Sequence, residues 1–416
     1  MSGVEQPVST VRTVKQRSGV VLAIIAAAVV LGGCARNAPQ DTFQPEGEDA
    51  QRIQNLQLPV FIVAGVVGAI VFGVIIFVMI RYRDRGQEMP RQTHGNPVLE
   101  IALTILPALI LIGVGIPTVS TVFSLAKSSD TQCVVNVTGQ QWWWEYEYPV
   151  QDCGGVSIAA PIVTSGELVL PTKVHVLLRI TSNDVIHSYW IPKLNGKRDA
   201  VPGRIHPLRM EADHPGIYAG QCTEFCGLSH ARMRMDAVGL TPTDFGTWVA
   251  NQLEPAPKPT DAGGLAGEDQ FRTQCSRCHQ VNGLMAENPD GTNSDKPVIA
   301  YPDLYVVAGN APNLTNLMTR TTFAGATWDL LTDECRKTLH DAPPDQFGAL
   351  YLKGVTPECF NEAELRDWIR NAPAKKPMYS SEEQKAENGG KYRGMPNLNL
   401  TDDQIDQIIA YLIERK

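Results

Sequence analysis

Two charge-free apolar runs constrain this chain more than any other feature. Leu58 to Ile80 has 23 residues and Ile101 to Leu125 has 25. About 20 apolar residues span a bilayer as a helix, and an isolated segment in lipid can satisfy its backbone only as a helix. The pair therefore predicts a transmembrane hairpin over 58–126. Pro107 and Pro117 lie inside the second run, where membrane helices tolerate proline. The connecting loop carries Arg81, Arg83, Arg85 and Arg91. Short loops rich in arginine stay on the cytoplasmic side, so both outer ends of the hairpin face the opposite side. The rest of the chain is expected outside, whatever its fold.

A third apolar run, "VVLAIIAAAVVL" at 20–31, is too short to span. It follows Arg12, Lys15 and Arg17, the layout of a secretory signal core. It ends in "LGGC", which resembles a bacterial lipoprotein cleavage box with Cys34 as the lipidated N-terminus. Residues 1–33 then read as a signal peptide and 34–57 as an outer N-terminal segment. The net charge of −8 speaks against a nucleic-acid partner, since phosphate binding needs a basic face.

Residues 127–252 carry strand signals. In "KVHVLLRIT", Val174, Val176, Leu178 and Ile180 alternate with His175, Leu177, Arg179 and Thr181, the period of a half-buried strand. "RIHPLRMEADHPGIYAGQ" predicts two strands joined at "DHPG". Short strands at this spacing point to an all-β sandwich or barrel, closed by a short helix in "TPTDFGTWVANQ". Residues 253–264, "LEPAPKPTDAGG", form a Pro- and Gly-rich linker. Residues 265–416 turn helical. "TDDQIDQIIAYLIERK" offers a capping box from Thr401 and Gln404, and Ile405, Ile408, Ile409 and Leu412 form one apolar stripe.

Nine cysteines need placing. Residues 275–279 read "CSRCH", the C-x-x-C-H attachment signature of c-type haem. Cys275 and Cys278 would form thioethers and His279 would ligate the iron. A zinc half-site would need a second cysteine pair nearby, and none follows. The tail resembles the end of a class I cytochrome c, with its "MP" pair shortly before the last helix. That resemblance makes Met395 the sixth ligand, with Met378 as the alternative. In an exported chain, Cys335 pairs with Cys359 and Cys133 with Cys153 as expected disulfides, although sequence alone does not prove connectivity.

"QCTEFCGLSHARM" at 221–233 is the densest cluster. With His187 it offers Cys222, Cys226, His230 and Met233. Two cysteines alone allow a disulfide, and two cysteines with two histidines allow zinc. The thioether of Met233 is a soft ligand that suits copper, and thiolates bridging two coppers would use the whole set.

These motifs, in order, resemble subunit II of a haem–copper cytochrome c oxidase with a cytochrome c fused at its C-terminus. The chain carries "QWWWEYEY" at 141–148, "DVIHS" at 184–188, "PGR" at 202–204 and "GQCTEFCGLSHARM" at 220–233. The resemblance covers about residues 58–250, and the cytochrome resemblance covers 263–416. It implies a multidomain chain: a two-helix transmembrane hairpin, a cupredoxin-like β-sandwich and an all-α class I cytochrome c domain. It implies His187, Cys222, Cys226, His230 and Met233 as side-chain ligands of the dinuclear copper centre CuA. Glu224 would add its backbone carbonyl, and its carboxylate would reach a magnesium ion shared with subunit I. Trp142 would be the residue through which electrons enter. Glu100 would lie near the mouth of a proton channel in subunit I. The second span reads "LEIALTILP", where many relatives have a tryptophan, and His206 stands where asparagine is common.

The implied function is electron relay, from covalent haem c through CuA to subunit I, where oxygen becomes water with proton pumping. The implied partners are subunit I and other oxidase subunits, membrane lipid, and a cytochrome c or cytochrome bc complex as donor. The implied location is a bacterial cytoplasmic membrane, with both termini and both metal domains outside. Linker 253–264 would raise the effective concentration of the haem near the copper, and a soluble cytochrome would dock on the fused domain rather than beside Trp142. Three rivals remain. A quinol oxidase subunit II would lack the copper ligands and haem. A nitric oxide reductase-type subunit would keep both. A membrane-tethered copper chaperone would need neither haem nor five ligands.

Overall fold

A computed structural model describes residues 38–86, 94–127, 130–254, 258–281, 285–287, 293–297 and 311–415. The signal run, Cys34 and Arg91 lie outside the described residues. Helix α1 spans Glu48–Arg81 and α2 spans Pro97–Leu125, and both are long and apolar enough to cross a membrane. Asn96 caps α2 through its side chain, with Pro97 at the first helical position, where the missing N–H costs nothing. Helix α1 begins ten residues before its apolar run, and Pro59 lies within it. Residues 48–57, expected as part of the outer N-terminal segment, are helical and pinned to the domain that follows. Asp49 is buried against Arg209 and Asn195. Glu46 N donates to Lys193 O at 2.8 Å, and Asp213 N donates to Glu46 O at 2.8 Å. Gly47 fits because any Cβ there would lie 2.4 Å from Glu211 O.

The outer domain is a two-sheet sandwich. One sheet has the order β10-β7-β1-β2-β5 and the other β6-β12-β11-β8-β9. Those strands are β1 Cys133–Gln140, β2 Trp143–Tyr148, β5 Ile162–Ser165, β6 Glu167–Pro171, β7 Val176–Ser182, β8 His187–Trp190, β9 Arg198–Ala200, β10 His206–Met210, β11 Gly216–Cys222 and β12 Arg234–Leu240, while β3 Gln151–Cys153 and β4 Val156–Ile158 form a small hairpin. β1 alternates as expected of a half-buried strand, burying Cys133, Val135 and Val137. Each such valine contributes about 1.5–3 kcal/mol by leaving water. Trp144, Tyr146, Tyr148, Tyr189 and Leu168 fill the space between the sheets. The two strands flanking "DHPG" form, but β10 and β11 sit in opposite sheets, so the turn is a crossover and not a hairpin. A disulfide joins Cys133 to Cys153, and α3 (Pro242–Leu253) packs Phe245 and Trp248 beneath the sandwich.

Beyond α3 the described structure is mostly helical: α4 Ala262–Gln270, α5 Asp333–His340, α6 Pro344–Tyr351, α7 Glu362–Arg370, α8 Ala372–Lys375, α9 Glu382–Glu387 and α10 Asp402–Ile413. Thr401 and Gln404 form a full capping box, and Ile405, Ile408, Ile409 and Leu412 are buried. A short ladder pairs Thr322–Phe323 with Trp328–Asp329, a departure from an all-α expectation. A second disulfide joins Cys335 to Cys359.

The helical region is docked on the sandwich rather than hanging from a linker. Glu167 on β6 is buried and accepts from Thr321 N and Oγ1 at 2.6 Å each and from Tyr351 Oη at 2.8 Å. Arg320 is buried beside it and donates to Ser165 Oγ at 2.8 Å. Burial pushes its guanidinium down to about 10, opposed by the Glu167 carboxylate. A buried carboxylate with its acceptor sites filled is costly to separate from its donors.

Candidate metal centre

The donor atoms gather at one end of the sandwich because β8 pairs with β11. Cys222 lies opposite Tyr189 in that pairing, which brings His187, at the start of β8, beside the loop that leaves β11. The loop returns through a 3-10 turn at His230–Arg232 into β12, and Cys222 N donates to Met233 O at 2.9 Å, closing it. Gly227 holds a left-handed φ of +110°, and a Cβ there would lie 2.9 Å from Tyr379 Oη and 3.0 Å from Gln141 Nε2.

Cys222 Sγ and Cys226 Sγ are 3.9 Å apart, so they form no disulfide. Cys222 Sγ lies 4.0 Å from His187 Nδ1 and 3.3 Å from Glu224 O. Cys226 Sγ lies 3.6 Å from His230 Nδ1 and 3.8 Å from Met233 Sδ. Two thiols, two imidazole nitrogens, a thioether and a carbonyl thus surround one small volume, with Cys222, Cys226, His187 and Met233 buried. The hydrogen bond between the thiols holds Cys222 down to about 4, aided by His187, while Cys226 is pushed up. Both thiols cannot lose their protons at this distance without a cation beside them, which is what a bound metal supplies. The donor set fits a thiolate-bridged copper pair, and Met233 has no use in a zinc site.

Four neighbours without an expected role shape the site. Asp184 Oδ1 lies 2.8 Å from His187 Nε2 and Asp184 Oδ2 accepts from Gln141 N at 2.8 Å. That fixes the His187 tautomer so that Nδ1 faces the sulfurs, as carboxylates do for metal-bound histidines. Burial opposes protonation of His187, but Asp184 and Cys222 together hold its pKa above the ordinary value. Gln141 Nε2 donates to Cys226 O at 2.7 Å. Lys376 and Tyr379 come from the helical region. Asp184 stands three residues before His187 in "DVIHS", and that spacing is the one sequence signal that could have marked it.

Trp142 is only 2% exposed; its Nε1 donates to Cys226 O at 3.0 Å, and the ring of Tyr379 covers it. Glu224 is exposed, as is Phe225 beside it, which leaves the Glu224 carboxylate facing outward. Glu100 is exposed in the first turn of α2, far in sequence from this cluster. His206 Nδ1 lies 2.7 Å from Asp199 O and His214 pairs with Glu46 at 3.2 Å. His175 sits between Glu48 and Glu211 at 3.0 and 2.8 Å, a half-buried junction rather than a surface turn.

In the helical region, Cys275 and Cys278 are unbridged thiols. His279 N donates to Cys275 O at 2.9 Å, so the C-x-x-C-H motif closes one backbone turn. His279 Nδ1 lies 2.8 Å from Pro312 O, so Nδ1 carries the proton and Nε2 is the coordinating nitrogen. Burial lowers the His279 pKa and keeps the ring neutral. Met378 is buried and packs against Gly394, which precedes the half-buried Met395 in the chain.

Two family models match the chain. "Cytochrome C oxidase subunit II, transmembrane domain" covers residues 38–121, and "Cytochrome C oxidase subunit II, periplasmic domain" covers 157–238. A cytochrome c oxidase subunit 2 from Alkalihalophilus pseudofirmus is 32% identical over 282 residues, spanning 65% of this chain and 80% of that protein. Another from Bacillus sp. (strain PS3) is 31% identical over 352 residues, spanning 80% of this chain and 79% of that protein. A quinol oxidase subunit 2 from Bacillus spizizenii is 33% identical over 250 residues, spanning 58% of this chain and 74% of that protein. With its two membrane-length helices and its outer-face sandwich, the chain belongs to the cytochrome c oxidase subunit II family.

Proposed function

We propose that this chain is the electron-accepting subunit of a terminal oxidase that takes electrons from a cytochrome and not from a quinol. Membership of the family makes it subunit II of a haem–copper oxidase, with a CuA centre and with subunit I and other oxidase subunits as partners. The finer reading rests on one observation: two imidazole nitrogens, a thioether and a backbone carbonyl converge on one pair of thiols, and the thiols, imidazoles and thioether are donors that suit copper. A quinol oxidase has no need of that set, although a quinol oxidase subunit is among the relatives.

Bound there, copper and a covalent haem on Cys275 and Cys278 would supply one-electron carriers, relaying electrons toward subunit I for the reduction of oxygen to water. The chain's own residues do the positioning. His187, Cys222, Cys226, His230 and Met233 would hold the copper pair, with the Glu224 carbonyl completing it. Asp184 orients His187, and the sandwich core keeps water from the sulfurs. Pro312 orients His279, and Met395 or Met378 would supply a second protein ligand to the haem. The alignment with the Bacillus sp. (strain PS3) relative spans 80% of this chain; residues 1–252 amount to less than that, so the shared sequence runs into the helical region, where the C-x-x-C-H motif at 275–279 supports a cytochrome c fusion. The exposed Glu224 carboxylate is free to reach a magnesium ion at the subunit I interface, and Glu100 is free to face subunit I near the inner membrane surface. Residues 1–33 would direct export and Cys34 would carry lipid.

The test is spectroscopic. The purified membrane complex should show the multi-line electron paramagnetic resonance of a mixed-valence copper pair and the pyridine haemochrome spectrum of a c-type haem. Loss of the copper signal in Cys222→Ser with haem retained is the expected outcome. Wild-type complex lacking either signal would refute the reading, and one lacking both would favour the quinol type. Mass-spectrometric identification of the large subunit decides between an oxygen-reducing and a nitric oxide-reducing core.

A further inference from the structure

One short segment of the helical region, residues 375–379, contacts the candidate copper loop at several points, and Thr327 Oγ1 adds another by donating to Arg232 O at 2.7 Å. Lys376 is 2% exposed, and its Nζ donates to Trp142 O at 2.8 Å and to Ala324 O at 2.7 Å. Ser229 Oγ donates to Pro377 O at 2.6 Å, and Arg232 donates to Lys375 O. The Tyr379 ring lies over Trp142 at 5.4 Å between centroids, inclined at 39°. Trp142 in turn donates from Nε1 to the carbonyl of Cys226 at 3.0 Å. A continuous line of contact therefore runs from Tyr379 through one indole to a sulfur-bearing residue of the site.

The other end of that line reaches the two chain segments that carry Met378 and Met395. Met378 immediately precedes Tyr379. Tyr379 bridges Arg393 as an isolated antiparallel pair, and Arg393 N donates to Tyr379 O at 3.0 Å. Met395 lies two residues beyond Arg393. The same corner is tied to the copper side a second time, because Arg393 Nε lies 3.6 Å from Asp184 Oδ2 and Asp184 holds His187. Trp142 is sealed beneath these contacts and offers no surface to a separate protein.

We propose that Tyr379 is the relay contact through which an electron leaves the C-terminal domain for Trp142, with Lys376 as the positioning residue that keeps the two rings together. The inference rests on the proposed presence of a c-type haem and a copper pair. A haem held on Cys275 and Cys278 would give up one electron in this step, and a copper pair held on Cys222 and Cys226 would take it up. No bond forms or breaks and no proton is required. The aromatic ring matters for this role, not the phenol: Tyr379 Oη needs only to clear Gly227.

The experiment uses the whole purified oxidase, with the haem photoreduced by a flash and electron arrival at copper followed by near-infrared absorbance. Tyr379→Leu keeps apolar bulk but removes the ring, and it should slow the transfer roughly tenfold or more, the scale of a small misplacement between reacting groups. Tyr379→Phe should restore the wild-type rate. Lys376→Met should slow the transfer while leaving the resting spectra of both centres unchanged. A wild-type rate in Tyr379→Leu overturns the proposal, as does a Phe variant as slow as the Leu variant. Absence of either spectrum in the wild-type complex would instead refute the underlying functional reading, so the two failures are distinguishable.

Discussion

Gly139→Ala is the most informative single change outside the donor set. Gly139 lies in β1, opposite Trp144 in one ladder and Ser182 in the other. A Cβ there would sit 2.9 Å from His187 Cδ2, 3.2 Å from His187 Cγ and 3.0 Å from Trp144 Cζ3. Real Cβ atoms do not sit so close, so one ring must move. Trp144 is fully buried and packed edge-on against Tyr189 at 4.9 Å. His187 is held by Asp184 at 2.8 Å. Overpacking of this kind costs about 1–3 kcal/mol. If the imidazole yields, Nδ1 leaves its alignment with Cys222, and disturbed ligand orientation lowers metal affinity by roughly 10–100-fold. The assay is copper stoichiometry after dialysis against a graded chelator, with thermal unfolding of the same sample. Gly246→Ala serves as control, because its Cβ would meet nothing closer than 3.8 Å and it lies within α3, where alanine should stabilise by up to about 1 kcal/mol. Unchanged copper retention in Gly139→Ala would refute the claim that this glycine clears space for the ligand.

Three further outcomes are expected. Replacing both Cys133 and Cys153 by alanine opens a loop with a sequence separation of 20, which should cost about 3 kcal/mol on the chain-entropy estimate, read as a lower denaturation midpoint without loss of the copper spectrum. Met395→Ala should abolish the far-red charge-transfer absorption of an iron–thioether bond while Met378→Ala preserves it; the reverse result would exchange the two assignments. Burial pushes Lys376 down to about 7 from 10.5, so between those values the unfolded chain binds a proton that the folded chain does not. Stability relative to Lys376→Met should therefore rise as pH is raised from 7 toward 10.5, by on the order of 1 kcal/mol per pH unit, and level off below 7, where both states bind the proton. A difference independent of pH would contradict this.

The membrane helices were legible because a bilayer demands an uninterrupted apolar run, and composition shows that directly. The donor cluster was legible because Cys222, Cys226, His230 and Met233 are close in sequence, with His187 placed by its own motif. The polar start of α1 was not, since what orders residues 48–57 is a partner, Arg209, 160 positions away. Nor was the docking of the helical region. Lys376 stands in "AKKPMY" like any solvated lysine, and Glu167 looks like an ordinary strand-end carboxylate. Only their burial reveals them. Residues 253–264 read as a tether, and contacts on either side of it hold the two domains together.

The buried Asp49–Arg209 pair near the start of α1 has a geometric consequence. The ten residues of helix that precede the apolar run lift the sandwich about 15 Å clear of the hydrocarbon. They also set its compass bearing, because each residue of an α-helix turns the chain by about 100°. Adding or deleting one residue between 50 and 57 would leave the height almost unchanged. It would swing the exposed Glu224–Phe225 edge to face a different direction around the membrane normal, away from whichever subunit it meets.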